Sequence, residues 1–398
     1  MTVNHKTPTA STESKLPERG LFLIVTLTKF IGVLGLLLMP LQIGGFIEGL
    51  GLGETRAGML ATAEVFSLGG GLILVSLGFI KLPLNRLAII GGIIVVIGYV
   101  LSIFVEYYPG LVLARAITGL GMGFINAAAT MAIATCFVDT DRTAGNVFAL
   151  VYLGSAVLYL ATPFLSQFGH YQGLFTLLII IVTLAMPLFR LLPKTNLGQI
   201  QANESNENLP WLSIILLLAG EAILFVGLGT CWGFAERLGI NSGLDAKGVS
   251  FYLAWSVVAT IIGATFAGWL GTRMGRSPPL LGGALLTSLA CVLMASTGMD
   301  AAYLPGLMLY QATTAFLIPY LIGTAALLDS NGRVAAAVVG TLIFCYGGGA
   351  ALGGWVIENF SLSALGWVAL TCAALAFIIF ISLLSQLQGN QPGKPSAL

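Results

Sequence analysis

The chain has 398 residues, of which 57% are hydrophobic and 8% charged, and its formal net charge is +1. So few charges exclude a soluble globular protein of this length, and the near-neutral balance without a basic stripe excludes nucleic acid as a partner. The five cysteines, Cys136, Cys231, Cys291, Cys345 and Cys372, sit inside apolar runs without metal-ligand spacing, and no paired His or phosphate-cradling loop occurs, so no metal, cofactor or enzyme activity is expected.

Residues 1–19 are polar, carry Lys6, Lys15 and Arg19 and lack a small-residue cleavage site, so they read as a tail rather than a secretory signal. Twelve apolar runs of membrane-spanning length follow. Six fill residues 20–192: Gly20 to Phe46, Arg56 to Phe79, Leu87 to Val105, Gly110 to Val138, Ala144 to Ser166 and Gln172 to Leu192. Residues 193–210, rich in Asn, Gln, Glu and Ser, form the one extended polar stretch inside the chain and read as a flexible linker. Six more runs fill residues 211–387: Trp211 to Ala235, Gly248 to Leu270, Pro279 to Thr297, Tyr303 to Leu328, Val334 to Val356 and Ala364 to Leu387. Residues 388–398 form a second polar tail. The expected fold class is an all-α membrane protein of twelve helices in two six-helix bundles.

The two halves echo each other. Gly45-Phe-Ile-Glu48-Gly-Leu-Gly-Leu52 returns 188 positions later as Gly233-Phe-Ala-Glu236-Arg-Leu-Gly-Ile240, each closing an apolar run. Further matches pair Gly78 and Arg86 with Gly268 and Arg276, and Pro109-Gly110-Leu111 with Pro305-Gly306-Leu307. A duplicated membrane bundle with a cleft between its halves is a transporter architecture.

Charge sets the orientation. Twelve of the 17 Lys and Arg fall at one face (Lys6, Lys15, Arg19, Lys81, Arg86, Arg142, Arg190, Lys194, Arg273, Arg276, Arg333, Lys394), against Arg56, Arg237 and Lys247 at the other. The positive-inside rule therefore predicts that both tails and the linker are cytoplasmic, in a cell (plasma or inner) membrane. The opposite loops hold Glu48, Glu54, Glu106, Glu236, Asp245, Asp300 and Glu358.

Four charges remain inside the apolar runs: Lys29, Glu64, Arg115 and Glu221. Each costs roughly 2.5–3.5 kcal/mol at the bilayer centre even on a mild insertion scale, so each calls for a partner or for water. Glu64 and Arg115 lie at similar depth, roughly 12 and 8–9 Å from the outer ends of their spans by the helical rise, and are expected to pair within the first half. Lys29 and Glu221 lie in opposite halves, each roughly 15 Å deep and so near the midplane. They are expected to face one cavity rather than to form a structural pair. Further polar and aromatic candidates inside the spans are Gln42, Asn126, Tyr152, Tyr159, Trp232, Trp255, Tyr310, Gln311 and Tyr320, with Gln311 at the position of Arg115 in the repeat. Singly, each suits packing or interhelical hydrogen bonds better than ligand contact. Trp211 and Tyr303, near span ends, read as interfacial anchors.

Three features carry a resemblance to the major facilitator superfamily: the twelve spans in a 6+6 repeat with a central linker, a loop motif and a fourth-span motif. After the eighth span, Gly268-Trp-Leu-Gly-Thr272-Arg273-Met-Gly275-Arg276 resembles the family's Gly-x-Leu-x-Asp-Arg-x-Gly-Arg gating loop, with Thr272 in place of the Asp. The first-half copy, Gly78 to Arg86, is more worn and also lacks the Asp. Arg115-Ala-Ile-Thr-Gly119-Leu-Gly121 is similar to the Arg-x-x-x-Gly-x-Gly pattern of proton-coupled members, whereas the Gly-Pro motif of drug–proton antiporters is absent from the fifth span. The resemblance implies a secondary transporter working by alternating access, monomeric in its lipid surroundings, with first and seventh spans lining the cavity and protons as the coupling ion. Lys29 suits an anionic group on a small organic solute, and the Tyr and Trp residues suit an aromatic one. Two alternatives stand beside it: a proton-antiport exporter of hydrophobic compounds, and a membrane enzyme or receptor that inherited the fold.

Overall fold

The computed structural model describes residues 17–76, 78–137, 139–194, 210–271, 273–296, 300–329 and 333–389. The expected linker, both polar tails and Thr272 of the loop motif fall wholly or largely outside the described residues. Every described span is helical. Among the described residues, eleven helices are individually long and apolar enough to cross a membrane. The remaining span is the first, which arrives in three consecutive pieces, α1 (Glu18–Gly32), α2 (Leu34–Leu37) and α3 (Met39–Leu50).

The uninterrupted first run expected from composition is thus corrected, and Pro40 supplies a reason. Proline lacks an N–H and its ring clashes with the carbonyl four residues back, here Leu36. The freed carbonyls are met from elsewhere. Trp232 Nε1 donates to the Leu36 oxygen at 3.0 Å, and the Tyr159 hydroxyl donates to the Leu37 oxygen at 2.7 Å. The equivalent of Pro40 in the repeat is Leu228, and the corresponding helix there runs unbroken from Trp211 to Gly233.

The rest of the first half consists of α4 (Glu54–Ser76), α5 (Leu84–Phe104), α6 (Tyr108–Cys136), α7 (Thr140–Leu165) and α8 (His170–Phe189). The second half consists of α9 (Trp211–Gly233), the short α10 (Ala235–Asn241), α11 (Ala246–Leu270), α12 (Ser277–Met294), α13 (Asp300–Leu328), α14 (Arg333–Asn359) and α15 (Ala364–Gly389). Turn chemistry separates them: Gly51 ends α3 with φ +61°, and Asp245 caps α11 by accepting from Gly248 N at 2.9 Å. Within the first half α6 packs on α4, α5 and α1, and within the second α13 packs on α11 and α12 while α9 packs on α14 and α15.

The halves meet along α4 against α14 and α7 against α11. Small residues permit the first contact: a Cβ at Gly58 would strike the Ala350 carbonyl, and one at Gly354 would strike the Glu54 carbonyl. Thr62 Oγ1 donates to the Gly347 carbonyl at 2.5 Å and accepts from Ala351 N at 3.1 Å. At the helix ends Glu358 accepts from Thr55 N at 3.0 Å and from Thr55 Oγ1 at 2.5 Å. Arg237 Nη1 lies 3.2 Å from Glu48 Oε1. These polar contacts between halves lie from the midplane outward to the end that carries Glu48, Glu54 and Glu358, so the cleft is closed at that acidic end.

Two expectations at that end are revised. Tyr303 is not an interfacial anchor: it is buried, with its hydroxyl donating to the Ala235 carbonyl at 2.9 Å. Glu236, expected in an exposed loop like its repeat mate Glu48, is only 7% exposed, because α9 stops at Gly233 and α10 turns it back into the protein. Trp211 is 65% exposed, as an anchor should be.

Candidate functional site

Glu64 and Arg115 form an ion pair with both side chains fully buried. Arg115 also donates to Gln42 Oε1 at 3.0 Å and to Ser102 Oγ at 3.3 Å, and its guanidinium lies 4.6 Å from the Phe175 ring centroid and 5.3 Å from that of Tyr99. Residues from α3, α4, α5 and α8 thus converge on the one guanidinium that α6 carries. Glycines make room: Gly35 faces the Glu64 carboxylate, and a Cβ at Gly119 would strike the Glu64 carbonyl. The second half has no such charge pair among the described residues. Gln311, at the position of Arg115, is half-buried and reaches Ser256 Oγ at 3.4 Å.

Lys29 is buried and bonds within its own half. Its ammonium donates to Asn126 Oδ1 at 2.6 Å and to Thr130 Oγ1 at 2.9 Å, and lies 5.2 Å from the Phe148 ring centroid. Gly32 lets α1 press against Asn126, since a Cβ there would come within 2.6 Å of the Asn126 nitrogen. Glu221, on α9, is fully buried, and neither carboxylate oxygen has a hydrogen-bond partner among the described residues. The structure does not join Lys29 to Glu221 in an ion pair; each stands as a buried charge without a counter-charge among the described residues.

The second half also presents an aromatic wall built from α9, α13 and α14. The Trp232 and Tyr310 rings stack with planes 5° apart at 6.2 Å, and the Tyr310 and Tyr346 hydroxyls share a hydrogen bond of 2.8 Å. Tyr310 also donates to the Leu228 carbonyl at 3.1 Å, and Tyr346 packs on Phe225 at 5.4 Å. Trp232 links this wall to the broken first span through Leu36. On the opposite side Tyr159 holds Leu37, with half-buried Tyr152 two turns away on the same helix. Tyr346 escaped the sequence reading. Its one available signal was an aromatic residue just before the Gly347-Gly348-Gly349 run that packs against α4 and α9. Trp255 is 50% exposed on the outside of α11, away from this group.

The two gating loops differ. In the second half Arg276 donates to the Gly323 carbonyl, Tyr320 donates to the Gly271 carbonyl at 3.0 Å, and Arg273 stacks on Trp269 at 5.1 Å. Gly268 faces open space, while Gly271 and Gly275 take φ of +51° and +73°, turns that only glycine makes readily. In the first half Gly78 has φ +76° but Arg86 is exposed. The second loop is therefore docked on its own half.

The family model described as Major Facilitator Superfamily matches residues 21–337. The chain belongs to the major facilitator superfamily. Solved transporters share its fold throughout. A D-xylose–proton symporter superposes with TM-score 0.74 at 14% identity, covering 95% of this chain and 98% of that one. The nucleoside transporter NupG gives 0.70 at 14% identity, covering 92% and 99%. The xylose transporter XylE from E. coli, in a partially occluded inward-open conformation, gives 0.72 at 14%, covering 92% and 97%. A comparison with curated proteins finds no match. As a superfamily member the protein is a multi-span membrane transporter of the secondary class.

Proposed function

We propose that this protein moves a small organic anion with aromatic character across the cell membrane, coupled to protons, by alternating access. The observation that carries the reading is the pair of buried charges in opposite halves without a counter-charge among the described residues: Lys29, hydrogen-bonded to neutral Asn126 and Thr130, and Glu221 with no hydrogen-bond partner. Burying an unpaired charge is costly, so a fold that retains two of them has a use for each. A carboxylate or similar anionic group on the solute supplies the counter-charge of Lys29, and the stacked Trp232 and Tyr310 with Tyr346 offer a wall for its ring. A proton supplies the need of Glu221. Neutralised Glu221 no longer competes with the solute anion for the field of Lys29, so proton and solute favour the same occluded state. The buried Glu64–Arg115 cluster ties the first half into one moving body. With residues 193–210 and both tails cytoplasmic, the closed acidic end is the outer end, and the protein works as a monomer in lipid.

Reconstituted protein tests this with a panel of small aromatic carboxylates, first by thermal shift and then by transport under an imposed pH gradient. Glu221→Gln should abolish gradient-driven accumulation while leaving solute exchange measurable. Lys29→Ala should weaken binding of carboxylates by about tenfold or more, as expected for loss of one charge-assisted contact. Normal pH-driven uptake in Glu221→Gln, or unchanged carboxylate affinity in Lys29→Ala, would sink the reading.

A further inference from the structure

A second unpaired carboxyl lies outside the apolar spans, at the closed acidic end. Glu236 sits on α10, and its side chain crosses to the first half, where one oxygen is pressed against Gly44 of α3 so closely that no Cβ could stand there. That oxygen, Oε2, has no hydrogen-bond partner among the described residues, and the residue is only 7% exposed. Glu236 also borders a cavity of about 240 Å³ between the halves, whose wall includes Glu48, His170, Tyr171 and Ser250. The cation beside it, Arg237 on α10 itself, makes its ion pair with Glu48 instead. From α3 comes Glu48, which is 39% exposed and already engages Arg237 at 3.2 Å, with His170 of α8 at 3.8 Å. From α13 comes Tyr303, whose hydroxyl is spent on the Ala235 carbonyl. On α11, Lys247 is exposed, as is the cap residue Asp245 before it; α12 carries no charged residue, only the buried Cys291. The repeat sharpens the contrast, because Glu48 holds the same place in the first copy and remains in solvent with a cation.

We propose that Glu236 is a proton-binding site built into the contact between the halves: its neutral acid seats against Gly44 when the acidic end is closed, and its ionised form is released when that end opens. A carboxylate pressed without a donor against apolar backbone is unfavourable, whereas a neutral carboxyl fits the same seat. Burial, with the negative charge of Glu48 adding to it and Arg237 opposing, raises the Glu236 carboxyl to about 8 in the closed form. Opened to water, it returns to the usual carboxylate range. The closed form therefore binds the extra proton, so closure is favoured in acid and weakens as pH rises between the two values, by about tenfold per pH unit for one proton. Above about pH 8 the closed form is ionised as well, and the dependence levels off.

Spin labels at the exposed positions Tyr107 and Phe360, one in each half at this end, would report the opening in full-length protein in lipid nanodiscs, after replacement of the five native cysteines. The separation should lengthen as pH rises from about 5 to about 8 and then hold steady. Glu236→Gln, which mimics the neutral acid, should keep the short separation at every pH. Gly44→Ala, which fills the seat, should give the long one throughout. His170→Gln controls for the imidazole across the cavity and should leave the pH response in place. A pH-independent separation in the parent, an unaltered pH response in Glu236→Gln or Gly44→Ala, or loss of the response in His170→Gln would overturn the proposal.

Discussion

At the scale of single residues, the first half is organised around Arg115. Its guanidinium meets Glu64, Gln42 and Ser102 and stacks on Phe175 and Tyr99, all at zero or near-zero exposure. Removing one member of a buried ion pair strands the other and costs on the order of 3–5 kcal/mol, whereas removing both avoids the stranded charge. Glu64→Gln and Arg115→Gln should each lower the melting temperature and yield of purified protein sharply. The double variant should recover beyond the worse single one, and strictly additive losses would show that the pair is not coupled. This pair was legible in the sequence because a charge in an apolar run demands a partner and helical rise gives its depth. Glu236 was not legible. It follows an apolar run as Glu48 does, and only the break after Gly233, which no proline or charge announces, turns it inward.

At the scale of elements, the broken first span shows how a local backbone rule reaches across the molecule. Pro40 leaves the Leu36 carbonyl without its helical donor, and Trp232 of the opposite half supplies one, so the bend in one bundle carries a hydrogen bond into the other. Broken spans near the midplane are where transporters of other folds place their sites, for the same reason: free backbone groups are tolerated only where something meets them. Trp232→Phe keeps the stacking on Tyr310 but removes the indole N–H. It should cost about 1–3 kcal/mol in the closed form through the unsatisfied carbonyl, unless that form opens to let water reach Leu36. The expected outcome is a lower melting temperature and greater reactivity of a cysteine placed at Leu36 toward aqueous thiol reagents. A Trp232→Phe protein as stable and as tightly closed as the parent would mean that the bond is incidental. The eleven long spans were readable from hydropathy alone. The first was readable as a span but not as a break, because hydropathy weighs Pro40 as one neutral residue and takes no account of its missing donor.

At the scale of the whole molecule, the duplicated halves have diverged in a consistent direction. The first keeps a charged centre, Glu64 with Arg115, where the second has Gln311 and Ser256. The second keeps the docked gating loop, Arg276 on Gly323, where the first leaves Arg86 exposed. One half is tied at its core and the other at its loop, a division suited to two bodies that rock against each other along α4–α14 and α7–α11. The close packing of Gly58, Thr62 and Gly354 makes the acidic end the sealed one in this state, and on the orientation proposed from the charge count that end is the outer one. Cysteines replacing Thr55 and Glu358, already in hydrogen-bond contact across the seal, should therefore form a disulfide with high yield under oxidation and arrest transport. Reduction should restore transport. Cross-linking should be lost in states open at this end, and an impermeant reductant added outside intact cells should reach the bond if that face is extracellular. A disulfide that forms without arresting transport would mean that the seal does not open during the cycle. One that yields only to reductant delivered from the cytoplasm would reverse the orientation and with it the assignment of the closed end as the outer gate.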